Sequence, residues 1–310
     1  MATSATSSAA LRAAFAGLID YAGLFPPAQL GMEAALAEYA GARRGPHAWM
    51  LARFIVPESR LGELLQSAPA PVPLSVIAGT ADDSRTWFAA VQSSLQRVAA
   101  HKASGVAIEA LELPLPPPLS QRETYDAAIG QYSAALAQSG LSDLSSYIEL
   151  PQHERRNALL PGALASMKRH HLRAKLRCGG VTASSIPTVY DIATFLRAAA
   201  EEDVALKATA GLHHPVRGYN EESGFVMHGF LNVLTAAALV RQGAGADSVI
   251  AALEDEDAGH FALDPGGLRW RETLIGADAL RDTRTNRFHS YGSCSFSEPV
   301  DDLTALGLLA

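Results

Sequence analysis

Residues 172–215 read LRAKLRCGGVTASSIPTVYDIATFLRAAAEEDVALKATAGLHHP, and the rhythm of this stretch decides the fold. Its two ends, 172–178 and 204–212, are short runs with the apolar alternation of strands. Between them Val189, Ile192, Phe195, Leu196 and Ala199 recur at helical spacing and form one apolar stripe. Strand, helix, strand is a βαβ unit, and its crossover lays the two strands side by side and parallel.

The same unit repeats along the chain. Strand-like runs stand at 18–25, 49–56, 73–79, 105–113, 144–150 and 287–296. Apolar stripes at Trp87, Val91, Leu95 and Val98, and at Tyr125, Ile129, Tyr132 and Leu136, mark helices between them. Eight strands alternating with helices in 310 residues predict an α/β fold, a (β/α)8 TIM barrel formed by residues 1–310 as one domain. No GxGxxG follows the first strand and no P-loop is present, which speaks against a doubly wound nucleotide-binding sheet. Residues 1–8, rich in Ala and Ser, are expected to be disordered. The proline run LPLPPPLS (113–120) reads as a loop.

Residues 216–285 break the rhythm. They contain an apolar helix at about 228–243, a short helix near 247–254, and a hairpin pattern in GHFALDPGGLRWRETLIG (259–276). This is an insertion between the seventh and eighth strands, read as a lid or as a contact in a homo-oligomer.

Composition narrows the function. A hydrophobic content of 48% against 18% charged residues supplies a large core, and a net charge of −7 argues against nucleic acid or an anionic membrane surface as partner. No apolar window spans a bilayer, because residues such as Asp20 and Glu33 interrupt each one. The start of the chain lacks the basic segment and apolar centre of a signal peptide. Two cysteines, Cys178 and Cys294, form neither a disulfide framework nor a CxxC motif, so the expected setting is reducing and cytoplasmic.

The chemistry centres on two lysines, 32 residues apart, on consecutive strands. Period-two alternation allows Lys175 and Lys207 to enter one space at the carboxyl end of a barrel, with Arg177 on the face of Lys175 and Thr209 on that of Lys207. A single strand lysine is more often salt-bridged than reactive. Two together in a partly desolvated space depress each other's pKa and leave an amine nucleophilic enough for a Schiff base. Carboxylates for proton transfer come from Asp20, Glu149 and one of Glu109 and Glu112, which alternation puts on opposite faces. In GSCS (292–295), Ser293 and Ser295 lie where backbone N–H groups can hold an anion. His213 and His214 are read as substrate contacts. With His228 and Glu221 or Glu222 they are also the alternative ligands of a metal, although their spacing matches no HExxH motif.

Several stretches together resemble a known family. LIDYAGLFPPAQLGMEAALAEYA (18–40), ARFIVPESRLGELL and VPLSVIAG (within 52–79), YIEL (147–150), AKLRCGG (174–180), ALKATAGLHHP (205–215) and GSCS (292–295) follow the order of motifs in the deoxyribose-phosphate aldolases, class I aldolases with a (β/α)8 barrel. The resemblance implies a Schiff base on Lys175, a second catalytic lysine at Lys207 and phosphate binding at GSCS. Where that family has a strand-four aspartate, the nearest candidate is Glu109, with Glu112 second. One glycine of the seventh motif is alanine here, and the His-His pair and the long insertion are foreign to the family.

The expectation is therefore a metal-independent lyase without cofactor, acting on a small anionic carbonyl substrate, with or without a phosphate group. Lys175 forms the imine, Lys207 depresses its pKa, and Glu109 or Glu149 shuttles protons beside Asp20. Arg177, Thr209, His213, His214, Ser293 and Ser295 hold the substrate. The alternatives are a metal-dependent barrel hydrolase or lyase, and a non-catalytic barrel that binds a sugar phosphate or organic acid.

Overall fold

A computed structural model describes residues 2–309 apart from 69, 82–83, 117–124, 153–155, 181 and 222; the side chains of 2–8, 84 and 85 also lie outside the description. Seven strands come first: β1 (Ile19–Tyr21), β2 (Leu51–Pro57), β3 (Leu74–Ile77), β4 (Ile108–Pro114), β5 (Ser145–Glu149), β6 (Arg173–Arg177) and β7 (Leu206–Thr209). The insertion then adds β8 (Gly218–Asn220), β9 (Phe225–Met227), β10 (Phe261–Asp264), β11 (Gly267–Trp270) and β12 (Thr273–Gly276) before β13 (Phe288–Ser293). Strands β1–β7 and β13 close into a parallel barrel in the order β1-β13-β7-β6-β5-β4-β3-β2. All eight runs read from the sequence contain a barrel strand.

The helices are α1 (Ala2–Phe15), α2 (Met32–Arg44), α3 (Leu61–Ser67), α4 (Ser84–Ala103), α5 (Asp126–Gln138), α6 (Arg156–Arg169), α7 (Val189–Glu201), α8 (Phe230–Arg241), α9 (Ala246–Glu254), α10 (Ala277–Asn286) and α11 (Ser297–Ala305). The stripe that singled out α7 is buried, and the helix opens on a reciprocal cap: Asp191 N–H donates to Thr188 Oγ1 while Thr188 N–H donates to Asp191 Oδ2. No helix among the described residues is long and apolar enough to cross a membrane.

Three expectations change. Residues 1–8, expected to be disordered, fall mostly within α1; their alanines are strong helix formers, and the buried Ala10, Ala13, Ala14 and Phe15 anchor the helix beyond them. The single hairpin expected at 259–276 is a three-stranded antiparallel sheet, β10-β11-β12, because the chain turns back a second time between Trp270 and Thr273. The 216–285 insertion is not a detached lid. Residues 230–239 of α8 are all buried, α8 and α9 pack on α7, and β10, β11 and α10 lie against α1. The run 113–120 belongs to β4 up to Pro114, and its remainder falls largely outside the described residues.

The loops after β6 and β7 approach closely enough to exclude side chains. A Cβ on Gly211 would stand 2.8 Å from Gly179 Cα and 2.8 Å from Met227 Cε, and Gly211 has φ of +70°. Gly211→Ala is expected to cost about 2–4 kcal/mol, combining left-handed backbone strain with a forced contact. Gly62→Ala, in α3 with open space around it, is expected to gain about 0.5–1 kcal/mol. Urea unfolding midpoints of the two variants against the parent check both signs.

Candidate active site

Asp20 on β1 and Glu112 on β4 both reach Lys207 on β7. These strands are not neighbours, so the contacts cross the barrel interior. Lys207 Nζ donates to Asp20 Oδ2 at 2.5 Å and to Glu112 Oε1 at 2.7 Å. Lys175 Nζ lies 2.8 Å from Glu112 Oε2 and 2.8 Å from Glu149 Oε2. One carboxylate, Glu112, thus stands between the two ammonium groups and gives an oxygen to each.

The ion pairs continue in both directions. Arg177 Nε donates to Glu149 Oε1 at 2.6 Å. At the other end Arg53 N–H donates to Asp20 Oδ1 at 3.1 Å, Arg53 Nη1 lies 3.6 Å from the same oxygen, and Arg53 Nε donates to Glu109 Oε2 at 3.1 Å. The sequence of charges is Glu109, Arg53, Asp20, Lys207, Glu112, Lys175, Glu149, Arg177, alternating in sign at every step. Two hydroxyls complete it: Ser290 donates to Asp20 Oδ2 and Ser75 to Glu112 Oε1, each at 2.6 Å.

Alternation of charge explains how so many ions are buried at once. An isolated ion in the interior carries a desolvation cost that only close opposite charges offset. It also corrects the expected pKa logic. Burial by itself would lower the pKa of Lys175, but Glu112 and Glu149 outweigh it and raise the value above that of an ordinary lysine. Lys207 is raised against the same penalty by Asp20 and Glu112. In the resting site the carboxylates outweigh any mutual repulsion of the lysines, because Glu112 stands between the two ammonium groups. Burial pushes Glu112 and Glu149 up, and the cations overcome it, holding both well below the usual carboxylate range.

The two lysines differ in access and in restraint. Lys207 is fully buried with two directed hydrogen bonds, whereas Lys175 retains 6% exposure. Its two ion pairs are close but poorly directed, and Glu112 Oε2 accepts no well-aligned hydrogen bond. The chain opens toward solvent at Arg177, the last residue of β6, at the carboxyl mouth.

The opposite end is floored by aromatics and cations. Lys207 Nζ lies 5.6 Å from the centre of the Tyr147 ring, and Arg173 stacks on the same ring. His289 Nε2 donates to Thr285 O at 3.0 Å, so its Nδ1 accepts from Tyr147 Oη at 2.8 Å. Burial, with Arg173 nearby, lowers His289 to about 4 and keeps it neutral.

Glu109 does not join the lysines. It is half-exposed at the amino end of β4, and Glu112, on the opposite face by alternation, takes the interior place expected for it. Ser75, Ser290, Arg53 and Tyr147 were not singled out from sequence; Tyr147 sits two residues from Glu149, so alternation was an available signal for it alone.

The remaining candidates lie at the carboxyl mouth without touching the lysines. Thr209 ends β7 in register with Arg177. Ser295 N–H donates to Ser293 Oγ, and Glu298 N–H donates to Ser295 Oγ, so both serines are engaged in the turn entering α11. His213 Nδ1 lies 3.3 Å from Glu298 Oε2 and 3.6 Å from Cys294 Sγ. Burial opposes its charge, but the contacts with Cys294 and Glu298 push it up to about 10. His214 Nδ1 lies 2.7 Å from Asp302 Oδ2. His228 hydrogen-bonds Pro187 O instead, and among the described residues no three His, Cys, Asp or Glu side chains converge as metal ligands. Among the described residues, His213, His214 and His228 do not come together as the alternative metal set, and Glu222 lies outside those residues.

No protein-family model matches the chain, and no curated protein sequence does. Among solved structures it is similar to the dihydrodipicolinate synthase of Thermotoga maritima, with a TM-score of 0.39 and 13% identity over 96% of this chain and 100% of that one. A likeness of that size carries nothing about activity, and the reading of the site rests on its own geometry.

Glu149→Gln removes the carboxylate shared by Lys175 and Arg177 and is expected to cost about 3 kcal/mol near neutrality. Because the folded pKa of Glu149 lies below its unfolded value, near 4.3, this contribution is complete above about pH 5. It is lost as pH falls through the lower folded value. The stability gap between parent and variant, measured by urea unfolding, should be flat from about pH 5 to 8 and narrow in more acidic buffer. A gap that widens on acidification contradicts the assignment.

Proposed function

We propose that the barrel is a class I, Schiff-base lyase of aldolase type acting on a small carbonyl compound with an anionic end. The observation that carries this reading is Lys175, held between Glu112 and Glu149 at the open end of the ion chain. It is the lysine a substrate can meet, while Lys207 is sealed beneath it.

Attack on a carbonyl carbon requires Lys175 as the free amine, so its proton first passes to an adjacent carboxylate; Glu149, which also faces the mouth, suits that task. Loss of water from the resulting carbinolamine gives a protonated imine. That cation takes the place of the ammonium between Glu112 and Glu149, so the charges that hold the amine protonated at rest also stabilise the intermediate. A carboxylate then takes the proton of the β-hydroxyl, and its carbon departs as an aldehyde or ketone while the electron pair of the breaking carbon–carbon bond passes to the imine and leaves an enamine. The same carboxylate returns the proton to the enamine carbon, and water releases the second product and frees Lys175. Arg177, exposed at the rim, is the group placed to meet an anionic substituent.

Lys207 then acts by sharing Glu112. With it in place, the carboxylate divides its charge between two cations, and Lys175 is raised less than it would be alone.

The test is reductive trapping. Incubation with short aldehydes and ketones, with and without a phosphate group, followed by borohydride and peptide mass mapping, is expected to place the adduct on Lys175. Lys175→Met should abolish it. Lys207→Met should slow trapping and shift its pH dependence upward, since Glu112 then acts on Lys175 undivided. Trapping confined to exposed lysines, or undiminished in Lys175→Met, sinks the mechanism.

A further inference from the structure

A cleft of about 420 Å³ lies between the loop entering α7, the β8–β9 hairpin and the end of α9, and it shares no residue with the ion chain. Ile186, Tyr190, Phe225 and Val226 form its apolar walls, while Arg217 and His228 contribute polar groups. Met227 separates it from the lysines: its Cε packs against Gly179 and Gly211, beyond the ends of β6 and β7.

Two features of this cleft have no use in the barrel chemistry. The first is His228. Its Nε2 donates to Pro187 O at 2.8 Å, which leaves Nδ1 as a lone-pair acceptor, and among the described residues that buried atom has no partner. Burial and the nearby Arg217 charge lower its pKa and keep it neutral. A buried acceptor without a donor is unfavourable, and native chains seldom leave one unless something else supplies the donor. The second is Tyr190, a large ring left 61% exposed on the cleft wall beside the partly exposed Val226.

We propose that this cleft binds a small carboxylate that bears a hydroxyl or amino group on the adjacent carbon and an apolar side chain. The carboxylate meets the Arg217 guanidinium, which among the described side chains has one contact, Nε to Glu256 at 3.2 Å. The hydroxyl or amino group donates to His228 or to the Glu254 carboxylate, both of which line the cleft. The apolar side chain covers Tyr190 and Phe225. The volume suits a ligand of amino-acid size, and apolar walls with a few polar groups are the usual make-up of such sites.

Calorimetric titration of the full-length chain with 3-phenyllactate tests this. Saturable one-to-one binding is expected. Arg217→Ala should weaken it by about tenfold or more, as loss of a charge-assisted hydrogen bond does. Tyr190→Ala, at an exposed position that leaves the core intact, should also weaken it. 3-Phenylpropionate, which lacks the hydroxyl, should bind more weakly, and Lys175→Arg should leave binding unchanged. No saturable binding to the folded parent chain overturns the proposal, as does equal affinity in Arg217→Ala and Tyr190→Ala. Loss of binding in Lys175→Arg places the probe in the barrel and overturns it equally.

Discussion

Glu112 is the group on which the rest of the interior depends. Its two oxygens serve two lysines from different strands, and without it the barrel would bury two ammonium groups with nothing between them. Around it every ion has an opposite charge on each side, out to the half-exposed Glu109 at one end and Arg177 at the other. Such a chain behaves as a unit. Changing one member alters the field on its neighbours, so single substitutions report on the network rather than on a residue.

The two ends of this chain are built differently, and that gives the site a direction. On the amino side the Tyr147 ring, the neutral His289 and Arg173 close the floor. On the carboxyl side Glu149 and Arg177 lead to the mouth. Water reaches Lys175 before Lys207. Two lysines similar in sequence context thereby acquire unlike environments, one rigid and sealed, one loosely directed and accessible.

Much of this was legible in the sequence. Eight apolar runs spaced by helical stripes suffice for the barrel, because the βαβ crossover leaves few topologies for that rhythm. Lys175, Lys207, Glu149 and Asp20 were legible as inward residues because alternation within a strand is strict. Glu109 came first on the resemblance: alternation puts it and Glu112 on opposite faces, and which face enters the lumen depends on how the strands pair, which one strand's residues do not record. The sign of the lysine pKa shift was lost for a related reason. From sequence, two cations on adjacent strands look mutually repulsive, and only the path of Glu112 across the lumen reveals what separates them. The insertion was visible as a break in rhythm, but its packing against α1 and α7 rests on contacts distant along the chain.

A raised lysine pKa is usually counted against a Schiff-base role, because the free amine becomes scarce. The geometry here points the other way for the intermediate. A protonated imine carries the same charge as the ammonium it replaces, so carboxylates that stabilise one stabilise the other, with little reorganisation on passing between them. The disadvantage falls on the first proton transfer, which is local and has an acceptor within 2.8 Å of Lys175. On the proposed lyase reading, a site arranged in this way would favour holding the imine over forming it quickly, and Lys207, by drawing on the same carboxylate, would set how far that balance leans.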